Sequence, residues 1–288
     1  MLYIFGGHGY IGSRLQNYLK HREIDFLSPT RSEVDLSRLK DISIWLGETG
    51  LSPNSEDTII LLSSKPKNSE WYESDIHESS VCVKNLQGVF PNSRFLYTSS
   101  SDVYGTPASL PLTEDSAISL ESAYAYSKYE VELVLSQNLP LSQFLILRLP
   151  GVYGGMDPSK SVLNGFVSSI LNESKVRIHN QSVLSLQRDW VYRNDLVESI
   201  VKMAQDKSFG LYNFAPGFAK PIDWWVRTIA EEANIELQYE IEGIPKNDRG
   251  FDLTFNSHKL YREFGWIKFS DLSLNHFNHD KYYFDYFT

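Results

Sequence analysis

Five short apolar runs stand out in the first half of the chain: Leu2–Phe5, Asp25–Leu27, Thr58–Leu62, Arg94–Thr98 and Phe144–Leu149. Polar positions do not alternate through them, so they read as strands buried on both faces. Between them lie polar-patterned segments of helical length, Ile11–His21, Ser79–Val89 and Tyr124–Ser136. Strand and helix in alternation predict an α/β fold built on a doubly wound parallel sheet. After Gly154 the rhythm breaks into short elements and turns with many aromatics, among them Trp224, Trp225 and Trp266. The pattern predicts one domain over residues 1–154, rejoined by 187–213, and a smaller, irregular region over 155–186 and 214–288.

Composition narrows the classes. The chain of 288 residues is 42% hydrophobic and 14% aromatic, enough to fill a core and too much for a disordered protein. Lys and Arg number 27 against 36 Asp and Glu, a net charge of −9. That balance disfavours nucleic acid and anionic membrane surfaces as partners, while leaving room for a small anionic ligand. Cys82 is the only cysteine, so neither an intramolecular disulfide nor a cysteine zinc site is expected, and no metal site is predicted. The apolar run at residue 2 ends at once in glycines and is expected to be a strand, not a signal peptide. No apolar stretch approaches membrane-spanning length, so a cytoplasmic protein is expected.

The first strand runs into Gly6-Gly7-His8-Gly9-Tyr10-Ile11-Gly12 and then a helix. Gly6 and Gly9 allow a tight turn and close approach to a pyrophosphate, and Gly12 lets the helix pack on the strand. The helix start, with the Tyr10 and Ile11 backbone, offers N–H donors and a favourable dipole. These features predict a Rossmann-type dinucleotide site. The second strand ends Leu27-Ser28-Pro29-Thr30-Arg31-Ser32, with no carboxylate before Glu33. Arg31 suits a 2′-phosphate, which favours NADP(H) over NAD(H). Asp35 is placed to meet the adenine edge or to cap the next helix.

Tyr124-Ala125-Tyr126-Ser127-Lys128 puts a phenol and an ammonium four apart, on one helical face. A nearby ammonium and an oxidised nicotinamide would lower the phenol's pKa and make Tyr124 a general acid/base. One strand and turn earlier, Ser99-Ser100-Ser101-Asp102-Val103-Tyr104-Gly105 ends the fourth apolar run, where a hydroxyl faces the ligand crevice of such sheets.

In this order the motifs resemble the extended short-chain dehydrogenase/reductase family of sugar-nucleotide epimerases, dehydratases and reductases, over nearly the whole chain. Asn85-Leu86-Gln87-Gly88 resembles its Asn-x-x-Gly helix, and Ser63-Ser64 stand where it usually carries two alanines. Arg148-Leu149-Pro150-Gly151-Val152-Tyr153-Gly154 is similar to the end of its sixth strand. Gln187–Asp195 and Arg249-Gly250-Phe251-Asp252 are similar to its C-terminal Arg-Asp-Phe-Val and Arg-x-Gly-Asp segments. The resemblance implies a catalytic set of Ser100, Tyr124 and Lys128, with Asp102 as a further acid/base. It implies cofactor contacts at Gly6, Gly9, Tyr10, Ile11, Gly12, Arg31, Asp35, Ser63, Tyr124, Lys128 and Pro150. Arg188 and Arg249 would grip a substrate diphosphate, and Asp195 would be structural.

In the family, Lys128 would also hold the nicotinamide ribose. The position of Asp102 is commonly a glutamate in dehydratases and decarboxylases. With one carboxylate in Ser100-Ser101-Asp102, dehydration is disfavoured, since it needs both an acid and a base. The stretch Thr30–Leu36 resembles that of an NADPH-using member. The reading is therefore an NADPH-dependent reductase of a nucleotide-linked keto-sugar of 4-keto-6-deoxy type. Its alternatives are an NAD-dependent 4-epimerase, a dehydratase or decarboxylase using Asp102, and a non-catalytic dinucleotide-binding protein. A homodimer through the helices carrying Asn85 and Tyr124 is expected from the same resemblance.

Overall fold

A computed structural model describes residues 1–65, 67, 69–155, 161–241 and 250–277. The chain divides into two compact units, the first formed by Met1–Thr106, Ser116–Leu149 and Val197–Asn213, the second by Pro107–Asp115, Pro150–Leu196 and Phe214–Thr288. Of the stretch expected to rejoin the first domain, 197–213 lies in the first unit and 187–196 in the second. The first chain break between units falls at 106/107, where residues 107–115 leave for the second unit.

The first unit holds β1 (Leu2–Phe5), α1 (Tyr10–His21), β2 (Phe26–Leu27), α2 (Leu39–Thr49), β3 (Thr58–Leu61), α3 (Glu73–Val89), β4 (Arg94–Ser100), α4 (Ala123–Asn138) and β5 (Phe144–Leu149). The six strands of its sheet stand in the order β10-β5-β4-β3-β1-β2, β10 being Gly210–Asn213, and all neighbours are parallel. Each strand from β1 to β5 except β2 is buried along almost its whole length, which is why these runs carry no polar alternation. The core beneath them gathers Tyr3, Phe5, Ile59, Phe90, Phe95 and Ile146 with Ile42 and Leu46.

Helix α2 was not anticipated. Its apolar signal is one buried pair, Ile42 and Leu46, four apart, with Trp45 half-buried beside them. It ends at Gly50, whose left-handed φ of +70° closes the helix. Helix α3 starts at Glu73, earlier than its apolar pattern indicates, because the Asp75 carboxylate accepts the Tyr72 N–H at 2.7 Å. At α4 the Ser122 hydroxyl accepts the Ala125 N–H at 3.1 Å and fixes the helix start at Ala123, one residue before Tyr124.

The second unit carries small two-stranded pairings in place of a large sheet. They join β6 (Gly151–Tyr153) to β9 (Trp190–Tyr192), β7 (Lys175–Ile178) to β12 (Gln238–Ile241), and β8 (Gln187–Arg188) to β11 (Lys220–Pro221). Helices α5 (Val162–Glu173), α7 (Ile222–Glu232) and α8 (His258–Glu263) belong to it, and α6 (Arg193–Gln205) starts in it and ends in the first unit. Its core is aromatic: Tyr153, Trp190, Trp225 and Phe277 are all buried together. No described helix is long and apolar enough to cross a membrane.

Candidate active site

The sheet order changes direction at β1, which has β2 on one side and β3 on the other, so a crevice opens at the carboxyl ends of β1 and β3. Gly6 occupies it with a φ of +93°, and a Cβ there would lie 2.4 Å from the Ser63 nitrogen. A Cβ on Gly12 would lie 2.3 Å from the Gly6 carbonyl oxygen, so α1 sits against the loop only because this residue is bare. Gly7, which the spacing argument passes over, is less constrained: its Cβ would fall 2.0 Å from the Ser28 hydroxyl, a side-chain atom that can turn away, whereas those of Gly6 and Gly12 would meet backbone. The Gln16 amide donates to the Gly7 carbonyl at 2.7 Å and locks the turn. Gly9 differs. Its only close neighbour would be the Gly6 carbonyl oxygen at 3.3 Å, and it is exposed. The first N–H groups of a helix have no intrahelical acceptor. At α1 the N-cap is a glycine without a side chain, and no acid shares the first turn. A backbone cradle at a positive helix end, open at Gly9, fits a pyrophosphate.

The turn after β2 is held by its own side chains. Glu33 accepts from the Thr30 N–H at 2.6 Å and from the Thr30 hydroxyl at 2.7 Å. These hydrogen bonds, helped by the charge of His8, hold its carboxyl below the usual range. Arg31 projects into solvent with its side chain 92% exposed and its guanidinium 3.9 Å from Glu78. Asp35 does not cap α2, whose N-cap is Arg38. It accepts instead from the Ser37 N–H at 3.0 Å and the Ser37 hydroxyl at 2.7 Å, which lower its pKa.

Ser100 ends β4 and is buried, and its hydroxyl accepts the Asp102 N–H at 3.2 Å. It also acts on the Tyr124 phenol, lowering its pKa. Lys128, one helical turn on, lies with its Nζ 5.8 Å from the Tyr124 ring centre and 5.0 Å from that of Tyr97. Its ammonium donates to the Thr98 carbonyl at 2.9 Å. Ser100, Tyr124 and Lys128 thus come together as their spacing predicts. Burial brings the Lys128 pKa down to about 8 against the pull of Glu132. Lys128 is expected to draw the phenol's pKa down, yet in this chain burial and then Asp102 push Tyr124 up to about 12, with the Ser100 hydrogen bond opposing them. The phenol therefore rests protonated at neutral pH, as a proton donor beside a second hydroxyl.

Two neighbours of this set escape a reading by spacing. Lys67, on the loop between β3 and α3, forms an ion pair with Asp102. Trp71, from the same loop, meets the Tyr124 ring edge-on at 6.1 Å. Beneath both runs a buried network: Arg148 reaches Glu132 at 2.7 Å and the Tyr104 hydroxyl at 2.9 Å, and Tyr104 donates to Asn213 at 2.7 Å. Ser99 donates to Glu132. Glu132, four residues past Lys128, carries a signal visible in the helix periodicity; Lys67 and Trp71 carry none, because a loop closure brings them in.

In the second unit Arg188 is half-buried. Its guanidinium donates to the Gln187 carbonyl at 2.9 Å and to that of Phe251. Burial lowers its pKa, and Asp252 opposes that shift. Arg249 lies outside the described residues. Asp195 accepts from the Ser270 N–H at 2.7 Å and its hydroxyl at 2.8 Å, a tether between segments. Pro150 is buried and opens the second segment of the second unit. Among the described residues no group of His, Cys, Asp or Glu could hold a metal ion.

Known proteins agree with this architecture. The sequence profile of the NAD dependent epimerase/dehydratase family matches residues 2–215. The chain is 25% identical to the UDP-glucose 4-epimerase of Haemophilus influenzae over 235 residues, 71% of this chain and 67% of that protein. It is 24% identical to the human dTDP-D-glucose 4,6-dehydratase over 184 residues, 60% of this chain and 51% of that one. Among solved structures, RMD from Pseudomonas aeruginosa, complexed with NADPH, superposes with a TM-score of 0.77 at 20% identity, covering 96% of this chain and 95% of its own. With the glycine cradle at the switch point and the Ser100, Tyr124 and Lys128 set at the end of β4, the profile match leads to one assignment: the chain belongs to the NAD dependent epimerase/dehydratase family.

Proposed function

We propose that this protein is an NADPH-dependent reductase of a nucleotide-linked keto-sugar, of the 4-keto-6-deoxy type. The observation that carries the reading is the state of the acid/base groups. Tyr124 rests as a protonated phenol beside Ser100, and the carboxylate that acts on it, Asp102, is engaged by Lys67. Among the described residues, such a site has a proton to give and no free base. Reduction of a carbonyl needs the former, whereas dehydration needs both. The bound dinucleotide would supply the hydride. Ser100 would donate a hydrogen bond to the carbonyl oxygen, Tyr124 would protonate it as charge develops there, and Lys128 would hold the ribose and support the phenolate. The backbone of Gly6, Gly9, Tyr10, Ile11 and Gly12 would cradle the pyrophosphate, and Ser63 and Pro150 would be further cofactor contacts. Arg31 would meet a 2′-phosphate and Asp35 the adenine side. Arg188 and Arg249 would grip the substrate's diphosphate. The exposed Val81 on α3 and Tyr126 and Leu133 on α4 favour a homodimer through these helices, and a sedimentation mass of one chain would refute it.

One observation favours a second reading, an NAD-dependent 4-epimerase. Glu33 is an ionised carboxylate on the turn where a ribose 2′-hydroxyl is read, and it would repel a 2′-phosphate. Small molecules extracted from the denatured, purified protein separate the two. Stoichiometric NAD supports the epimerase. An empty protein that binds NADPH more tightly than NADH supports the reductase, and failure to bind either overturns both.

A further inference from the structure

The loop between β3 and α3 delivers two side chains to the catalytic phenol by separate routes. Trp71 packs edge-on against Tyr124. Lys67 pairs with Asp102, whose own N–H is bonded to Ser100 and whose charge acts on the Tyr124 phenol. We propose that Lys67 is a positioning residue of the site: by pairing with Asp102 it occupies that carboxylate and offsets the negative charge that Asp102 sets beside Tyr124. The inference deepens the reductase reading and rests on Tyr124 being its acid.

The charged and titratable groups around the phenol leave this task to Lys67. Ser100 is a neutral hydrogen-bond partner, and Trp71 is neutral. Tyr97, on β4, is itself held protonated, chiefly by burial. Lys128, on the phenol's own helix, spends its ammonium on the Thr98 carbonyl. Lys65, also on the loop, is taken by Asp75 at 2.5 Å and lies against the Trp71 and Tyr72 rings. The Asp102 carboxylate is 25% exposed and its charge is less screened than at the open surface, while Lys67, 59% exposed, reaches it from the solvent side. An aspartate beside an acid it does not serve makes the phenolate harder to form, and a cation on that aspartate relieves the penalty.

The test reads Tyr124 directly and needs no substrate. The full chain is labelled with 13C at the tyrosine Cζ, and the Tyr124 resonance is assigned by its loss in Tyr124→Phe. Its ionised fraction is read at about pH 10.5, just above the unperturbed tyrosine value. Asp102→Asn raises that fraction about threefold, and Lys67→Met lowers it about threefold, each equal to half a pKa unit. The double variant Lys67→Met with Asp102→Asn matches Asp102→Asn alone, because Lys67 acts only through Asp102. Lys67→Arg keeps the wild-type value. A Tyr124 resonance that ignores Lys67→Met, or a double variant that departs from Asp102→Asn, overturns the proposal. If the four variants order as stated but no keto-sugar nucleotide is reduced, the reductase reading falls and the role of Lys67 stands.

Discussion

The floor beneath Tyr124 and Lys128 and the turn after β2 belong to the same unit, yet they are held by opposite means. Under the catalytic pair, Glu132, Arg148, Ser99, Tyr104 and Asn213 are all buried and join β4, β5, β10 and α4 in one network. After β2, Thr30 and Glu33 bond each other within one turn, and Arg31 is left in solvent. The difference teaches where each kind of specificity resides. A phenol that must meet a reacting oxygen needs its surroundings fixed from several elements. A side chain that only favours one ribose substituent can stand on a local turn. Changes in the floor should therefore cost stability and activity together, and changes in the turn should alter ligand choice alone.

The largest expected effect is at the phenol itself. Tyr124→Phe removes the proton donor and leaves the ring and its contact with Trp71. Turnover of a keto-sugar nucleotide should fall by about 10²- to 10⁴-fold, the ordinary worth of a positioned acid. Thermal unfolding should hardly move. If a dinucleotide-dependent activity persists unchanged, Tyr124 is not the acid.

Next comes the floor. Glu132→Gln leaves the Arg148 charge buried without its partner, and unfolding in urea should show a loss of about 3–5 kcal/mol. Replacing both, as Glu132→Leu with Arg148→Met, should recover most of the stability, since a buried pair adds little over well-packed apolar groups. It should not recover the alkaline behaviour. Lys128 titrates at about 8, burial drawing it down and Glu132 holding it up. Without the Glu132 charge its ammonium is lost at lower pH, so the alkaline fall in kcat/KM should move to lower pH in the double variant. An unmoved alkaline limb in a stable double variant would separate the floor from the chemistry and undo half of the comparison.

The same contrast explains what could be read from the sequence. The glycines, Ser100, Tyr124 and Lys128 were legible because each is fixed by local geometry: a turn, a strand end, one helical face. The strands β1, β3 and β5 were legible because burial on both faces leaves an unbroken apolar run. Helix α2 was not, since a single buried pair four apart gives too weak a period. Lys67 could not be placed at Asp102, because only the closed loop after β3 brings the two together. Arg148 was visible in a resemblance to a strand end, but its partner across the sheet and helix was not. Of the two roles open to Asp35, the helix cap fails for a related reason: its carboxylate accepts from the Ser37 N–H and hydroxyl two residues on, short of the helix start at Arg38.

The smallest effect belongs to the turn, and it decides between the two dinucleotides. If Arg31 meets a 2′-phosphate, Arg31→Ala should weaken NADPH binding about tenfold and leave NADH unchanged, since a charge-assisted contact near solvent is worth about 1.5 kcal/mol. Glu33→Gln should act the other way, strengthening NADPH by removing a like charge and loosening the Thr30 contacts only slightly. Neither change should alter unfolding by more than about 0.5 kcal/mol, because Glu33 holds only its own turn and the long, solvent-exposed Arg31 pair with Glu78 is worth little. Fluorescence titration of both reduced dinucleotides against wild type and the two variants measures all of this at once. If Glu33→Gln instead costs NADH its affinity and Arg31→Ala changes nothing, the carboxylate is the reader of the ribose. The turn would then belong to an NAD enzyme, while the floor under Tyr124 would keep its role unchanged.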